Sequence, residues 1–172
     1  RGARVFSSDL SGTYCGPPPQ PADLWMNWNL DPPLLLGLAL LALVLRRSAT
    51  GLAAVAALAV AFVSPLCALS AALFSARVVH HVILVAFAAP LLALALPARR
   101  ALPPGLPFLA STLVLWAWHL PQAYDAALSN VAIYWVMQAT LLVSALVFWQ
   151  SVLGTGEATG RALLFILAGY MQ

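Results

Sequence analysis

An all-α, polytopic transmembrane helical bundle is what this sequence predicts, and three observations carry it. Of its 172 residues, 63% are hydrophobic and only 8% are charged, against roughly 25% charged in a soluble domain. The apolar residues fall into successive runs separated by short Pro-, Gly- or Arg-bearing breaks, and one run near 78–96 approaches the roughly 20 residues with which a helix spans a bilayer's hydrocarbon core. No polar block after residue 29 is long enough to fold separately, so one bundle whose backbone groups are satisfied inside its helices is the economical reading. The chain accordingly divides into a polar N-terminal segment, 1–29, and a bundle of about six helices, 30–172.

The N-terminal segment starts without Met or a signal-type apolar core, which reads as a processed or truncated product. Its part YCGPPPQPADLWMNWNLDPP joins a Pro-rich extended piece to Trp25 and Trp28, whose amphipathic rings favour a membrane interface. The first apolar run, Leu30 to Leu45, follows Asp31-Pro32-Pro33, where Asp can cap a helix and Pro fits its first turn; it stops at Arg46-Arg47. The second, Ala49 to Leu66, is Ala-rich and breaks at Ser64-Pro65 into a small loop holding Cys67. The third, Val78 to Leu96, has His80 and His81 at one end and Arg99 and Arg100 beyond the other. After LPARRALPPGLP, the fourth runs from Phe108 to Leu120 and ends in WAWHLP, with His119 beside Trp116 and Trp118. The fifth covers Val131 to Val152. A sixth begins near Gly160 and is still apolar at Gln172, so the helix is expected to continue past that residue.

Every basic residue is an arginine, and their placement orients the bundle. The breaks after runs one, three and five hold Arg46, Arg47, Arg99, Arg100 and Arg161, whereas those after two and four hold only Arg77. The positive-inside rule then makes the odd-numbered breaks cytoplasmic and puts the N-terminal segment, the Cys67 loop and the Asp125 loop outside. Topology, not nucleic acid, accounts for the formal charge of +3. On this orientation Cys15, Met26, Cys67, His80, His81, His119 and Asp125 gather at the outer face, with Met137 about two turns into the fifth helix.

Imidazole, thiolate and thioether together form the ligand set that suits copper, the sulfur ligands favouring Cu(I). Blander roles weigh against each residue singly: a membrane histidine packs or hydrogen-bonds about as often as it ligates, and methionine is more often a core filler. Neighbours on a helix point about 100° apart, so one of His80 and His81 at most is expected to face a given site. The two cysteines are compatible with an external disulfide, with buried thiols or with metal binding, since no C-x-x-C spacing chooses. No G-x-S-x-G, Walker loop or H-E-x-x-H is present, lysine is absent, and the few carboxylates are scattered. The chain is therefore read as having no enzymatic apparatus.

SPLCALSAALFSARVVHHVILVAFAAPLLALALP, WAWHLPQAYDAAL and SALVFWQSVL resemble the CtaG family of membrane cytochrome c oxidase assembly factors, and YCGPPPQPADLWMNWNLDPP looks like its proteobacterial members. The resemblance covers residues 14–172 and implies a non-enzymatic factor that assists maturation of the oxidase's copper centre on the outer face of the bacterial inner membrane. Its partners would be oxidase subunits, the lipid bilayer and periplasmic copper donors. The family's third-helix histidine falls on His81 and its fourth-helix histidine on His119, followed by Pro121, Tyr124 and Asp125. Two positions depart from the family pattern. Many relatives carry a second histidine where this chain has Arg77, with His80 instead at the neighbouring position, and many carry one near the start of the fifth helix, where this chain has Tyr134, Met137 and Gln138.

The third and fourth runs, joined by a short inner break, are expected to be antiparallel neighbours at about 8–10 Å, which lets His81 and His119 reach one metal. The expected copper ligands are thus His81, His119 and His80, supported by Asp125, Tyr124, Met137 and Met26. Asp125 or Tyr124 would hydrogen-bond a ligand imidazole's second nitrogen, and an open site suits transfer better than a closed one. Two other readings remain: a haem-binding membrane electron carrier with axial histidines from facing helices, and a purely structural scaffold for oxidase subunits.

Overall fold

The computed structural model describes residues 14–16, 19, 24–96 and 102–154; the sixth run, Arg99, Arg100 and Arg161 lie outside them. Every regular element among the described residues is helical. A 3-10 turn, Leu24–Met26, precedes α1 (Pro32–Leu45), α2 (Ala49–Phe62), α3 (Leu66–Ala72), α4 (Phe74–Val82), a π-helical segment (Ile83–Ala88), α5 (Ala89–Ala95), α6 (Gly105–His119), α7 (Pro121–Ser129) and α8 (Val131–Leu153). The all-α expectation holds. Two stretches are long and apolar enough to cross a membrane, Phe74–Ala95 and Val131–Leu153, and α2 with α3 makes a third if that pair, bent by 47°, counts as one span. The remaining described helices are shorter: the 14 residues of α1 rise about 21 Å, less than the roughly 30 Å of a hydrocarbon core. Two stretches expected to be loops, around Cys67 and Asp125, are instead the short helices α3 and α7.

Local chemistry sets the boundaries. Pro32 and Pro33 occupy the first turn of α1 as expected, but the Asp31 side chain makes no capping bond; it accepts the Tyr14 hydroxyl at 2.6 Å instead. Ser48 caps α2, its Oγ accepting from the Gly51 N–H at 3.0 Å. The α1–α2 hairpin closes so tightly that a Cβ on Gly51 would stand 2.7 Å from that of Leu45. Asn130 caps α8, its Oδ1 accepting from the N–H groups of Ala132 and Ile133.

The third span carries the element that no apolar pattern announces. In the π register the Ala89 N–H bonds the Leu84 carbonyl, and the next donor in line for the Val85 carbonyl would be residue 90. That residue is proline, which has no N–H. The indole of Trp149 on α8 supplies the missing donor, Nε1 to the Val85 oxygen at 2.8 Å, and Gln150 Nε2 reaches the Leu96 carbonyl at the end of the span. In a membrane such freed carbonyls must find protein partners, because lipid offers none. One extra residue in a turn also rotates the rest of the helix by about 100°. Phe87 stands seven residues after His80 and would share its face in a regular α-helix, yet it is 56% exposed while His80 is buried.

α8 is the axis of the bundle. It packs against α5, the π segment, α6 and α7, while α2 packs against α1, α3, the π segment and α5. The outward surface is apolar: Leu36, Leu40, Leu43 and Val44 on α1, and Leu106, Leu109, Leu113 and Trp116 on α6, are all exposed. In water this would be an aggregation surface; against lipid tails it is the expected one.

Candidate functional site

α4 begins four residues before the expected third run, so His80 and His81 sit about two turns inside the helix and not at its end. They are 1% and 4% exposed. His80 turns toward α2, its ring 5.2 Å from that of Phe62 and edge-on to it. His81 turns toward the end of α6, its ring 5.4 Å from that of His119. The two neighbours are 5.8 Å apart and, contrary to expectation, line one cavity together. His119 reaches His81 although α6 has no extended contact with the third span; α6 and the span are both positioned by α8.

The cavity is small, about 10 Å³, room for one water or ion. Arg77, Met137, Gln138 and Tyr124 line it with the two histidines. Four polar atoms buried around it have no hydrogen-bond partner: His80 Nε2, His81 Nδ1, Gln138 Oε1 and Arg77 Nε. Buried polar groups are almost always paired, so this convergence marks a place built to meet something polar. Arg77 lies flat on Tyr124, its guanidinium carbon 3.2 Å from the ring centroid, and among the described residues no carboxylate neutralises it. Tyr124 donates its hydroxyl to the Ser70 carbonyl at 3.0 Å. Burial pushes that hydroxyl's pKa up, the Arg77 charge opposing.

His119 is half-buried, and its Nδ1 lies 2.7 Å from the Leu115 carbonyl. A ring nitrogen facing a carbonyl carries the proton, so Nδ1–H donates and Nε2 keeps its lone pair. The partner that fixes this tautomer is thus a carbonyl of its own helix and not Asp125, which is exposed on α7. Met26, 85% exposed on the 3-10 turn, does not join the cavity, whereas Met137, 1% exposed, does. Among the described residues no three His, Cys, Asp or Glu side chains stand together as a ready metal cage.

A strap of the N-terminal segment, residues 14–16, covers the cavity. Cys15 is disulfide-bonded to Cys67 at the start of α3, the first of the three roles open to the cysteines. Tyr14 stacks on Tyr134 with centroids 5.1 Å apart and meets Trp135 edge-on. Tyr14 and Cys15 are themselves cavity-lining residues. The Tyr134 hydroxyl lies 3.4 Å from the Cys15 sulfur and 3.8 Å from that of Cys67. Sequence reasoning did not rank Arg77, Gln138 or Tyr134 as site residues. The available signal was spacing: Arg77 stands one turn before His81, and Tyr134 and Gln138 are one turn apart beside Met137.

These features define a class, a helical membrane protein with a histidine cluster enclosed near one end of its bundle. Within that class the chain belongs to the cytochrome c oxidase caa3 assembly factor family (Caa3_CtaG), whose sequence pattern matches residues 37–113 and 102–171. Comparison with curated proteins and with solved structures finds no match.

Proposed function

We propose that this chain, as a membrane chaperone and not an enzyme, assists maturation of the copper centre of a cytochrome c oxidase. It does so at the outer face of the bacterial inner membrane, with its N-terminal segment outside. The observation that carries the reading is the meeting of His81 and His119, rings 5.4 Å apart, from two separate helices. Imidazole suits copper, and a carbonyl bond that fixes one ring nitrogen and leaves the other as a donor is the usual support of a ligating histidine. His80 and Met137 line the cavity with His81 and are the next donors, while His119 approaches His81 from beside that cavity. The unneutralised Arg77 beside His81 opposes a cation and weakens its hold, which suits a protein that must release its cargo. Oxidase subunits and periplasmic copper donors are the partners this role requires.

Two facts support the outer placement. Persistent disulfides belong to oxidising compartments, and the Cys15–Cys67 bridge lies beside the histidines. The exposed pair Arg46 and Arg47 marks the other end of α1, as the positive-inside rule requires of a cytoplasmic turn. A haem carrier fits less well: a cavity of about 10 Å³ and two histidine rings in contact leave no room for a porphyrin. The scaffold reading draws on the lack of a three-ligand cage among the described residues, and one experiment separates it from copper binding. Purified oxidised protein in detergent is titrated against a Cu(I) chelator. His81→Asn and His119→Asn, chosen because truncating a buried ring would open a cavity, are each expected to weaken copper binding at least tenfold. Unchanged binding in both removes the histidines as ligands, and no binding by the wild type favours the scaffold.

A further inference from the structure

The strap that closes the histidine cavity is latched by two sulfur atoms, and those atoms are copper ligands once the bond between them is opened. We propose that Cys15 and Cys67, released from their disulfide, form a dithiolate site for Cu(I) at the mouth of the histidine cavity. The strap then takes up metal in its reduced state and closes in its oxidised state. This rests on the reading of copper as cargo and adds to it a loading site and the redox state in which it loads.

Four observations place that site. The two α-carbons are 5.3 Å apart and held on separate elements, the strap and the start of α3, so both sulfurs stay near each other when the bond is gone. Tyr14 anchors the strap independently, by its ring on Tyr134 and its hydroxyl on Asp31. The Tyr134 hydroxyl, in reach of both sulfurs, can donate to a thiolate and stabilise its charge. Behind the sulfurs the cavity offers the Met137 thioether and the unpaired ring nitrogens of His80 and His81, a graded set of softer to harder donors along which a Cu(I) ion can pass.

The opening step is thiol–disulfide exchange with a dithiol donor protein. Cys67 is fully buried and Cys15 only partly so, which makes the Cys15 sulfur the point of attack. One donor thiolate bonds to it and the Cys67 thiolate leaves; the donor's second thiol then displaces Cys15 from the mixed disulfide. The donor departs as a disulfide, two electrons having passed to the strap, and each cysteine takes up one proton. Cu(I) binding to the pair returns those two protons to solvent.

The test compares one protein in two redox states. Full-length protein in detergent, oxidised or reduced with a dithiol under anaerobic conditions and freed of reductant, is titrated with Cu(I) against a chelator, and its helix content is followed by circular dichroism. Reduction is expected to add one tightly held Cu(I) per chain. Cys15→Ser and Cys67→Ser should lose that increment, and His119→Asn should keep it. Equal copper in the two states, or an increment that survives in Cys15→Ser, overturns the proposal; if Cys67→Ser fails to fold, Cys15→Ser and the wild-type comparison still decide. Copper held by the oxidised wild type and lost in His119→Asn speaks only to the histidine reading, so the two can fail separately.

Discussion

Removing the indole that caps the Val85 carbonyl tests how the third span is built. In Trp149→Phe the Nε1–H bond of 2.8 Å is lost, and Pro90 leaves the carbonyl no backbone donor in the π register. A buried acceptor stripped of its partner costs about 1–3 kcal/mol, and the smaller ring adds a packing loss that has nothing to do with the carbonyl. Pro90→Ala separates the two, because it restores an N–H at the position the π register calls for. Unfolding in mixed micelles, followed by circular dichroism for the wild type, both single variants and the double variant, gives a coupling energy. We expect Trp149→Phe to destabilise by about 2 kcal/mol or more, and Pro90→Ala to return about 1 kcal/mol of it in the double variant. A double variant no more stable than Trp149→Phe, or a Trp149→Phe loss under about 0.5 kcal/mol, would refute the argument that Trp149 substitutes for the donor Pro90 lacks.

The glycines of the first hairpin give a matched pair. Gly51→Ala gains about 1 kcal/mol of helix propensity but drives a Cβ to 2.7 Å from Leu45 Cβ, an overpacking that costs about 1–3 kcal/mol; thermal unfolding should show a net loss. Gly37→Ala meets nothing within 4 Å and should be neutral or stabilising by up to about 1 kcal/mol, so equal effects at both positions would contradict the close approach of α1 and α2. Tyr14 gives a pH dependence: burial first, then its bond to the Asp31 carboxylate and that group's charge, raise its hydroxyl above the ordinary value. Its contribution to stability is therefore complete below about pH 10 and is lost as pH rises beyond that. Unfolding measured up to about pH 11 should fall more steeply in wild type than in Tyr14→Phe, and identical slopes would show that the strap is not anchored there.

The parts of this fold that derive from period and composition were legible, and those that derive from close contact were not. The apolar runs located α1, α2, α6 and α8 to within a few residues, because length and hydropathy are local properties. The start of α4 was missed because Phe74-Ser75-Ala76-Arg77 is too polar to extend an apolar run, yet its backbone continues the helix. That error placed His80 and His81 at an end when they are two turns inside. The π segment left no mark beyond Pro90, whose missing donor is met by a tryptophan 64 residues away in sequence from the carbonyl it serves. Arrangement around α8 was equally invisible. The pairing of His81 with His119 was anticipated for adjacent antiparallel helices; it arises because α6 and the third span both rest on α8. Asp31 was expected to cap α1 and is engaged by Tyr14 instead, a competition between two local partners that spacing does not settle. The family resemblance rested on WHLP-x-x-Y-D and the histidine-bearing helix, and it was the family match, not composition, that connected the bundle to an oxidase.

The measurement that bears most directly on the proposed role is the copper-to-haem ratio of the client oxidase. Oxidase is purified from cells lacking this chain and from cells carrying either the wild type or the His81→Asn, His119→Asn double variant, with the variant's level in the membrane checked by immunoblot. We expect the oxidase from deletion and double-variant cells to keep its haem but to lose copper and activity, with both partly restored by copper in the medium. Normal oxidase copper in the deletion would contradict the function, and normal copper with the double variant alone would remove His81 and His119 as its transfer ligands.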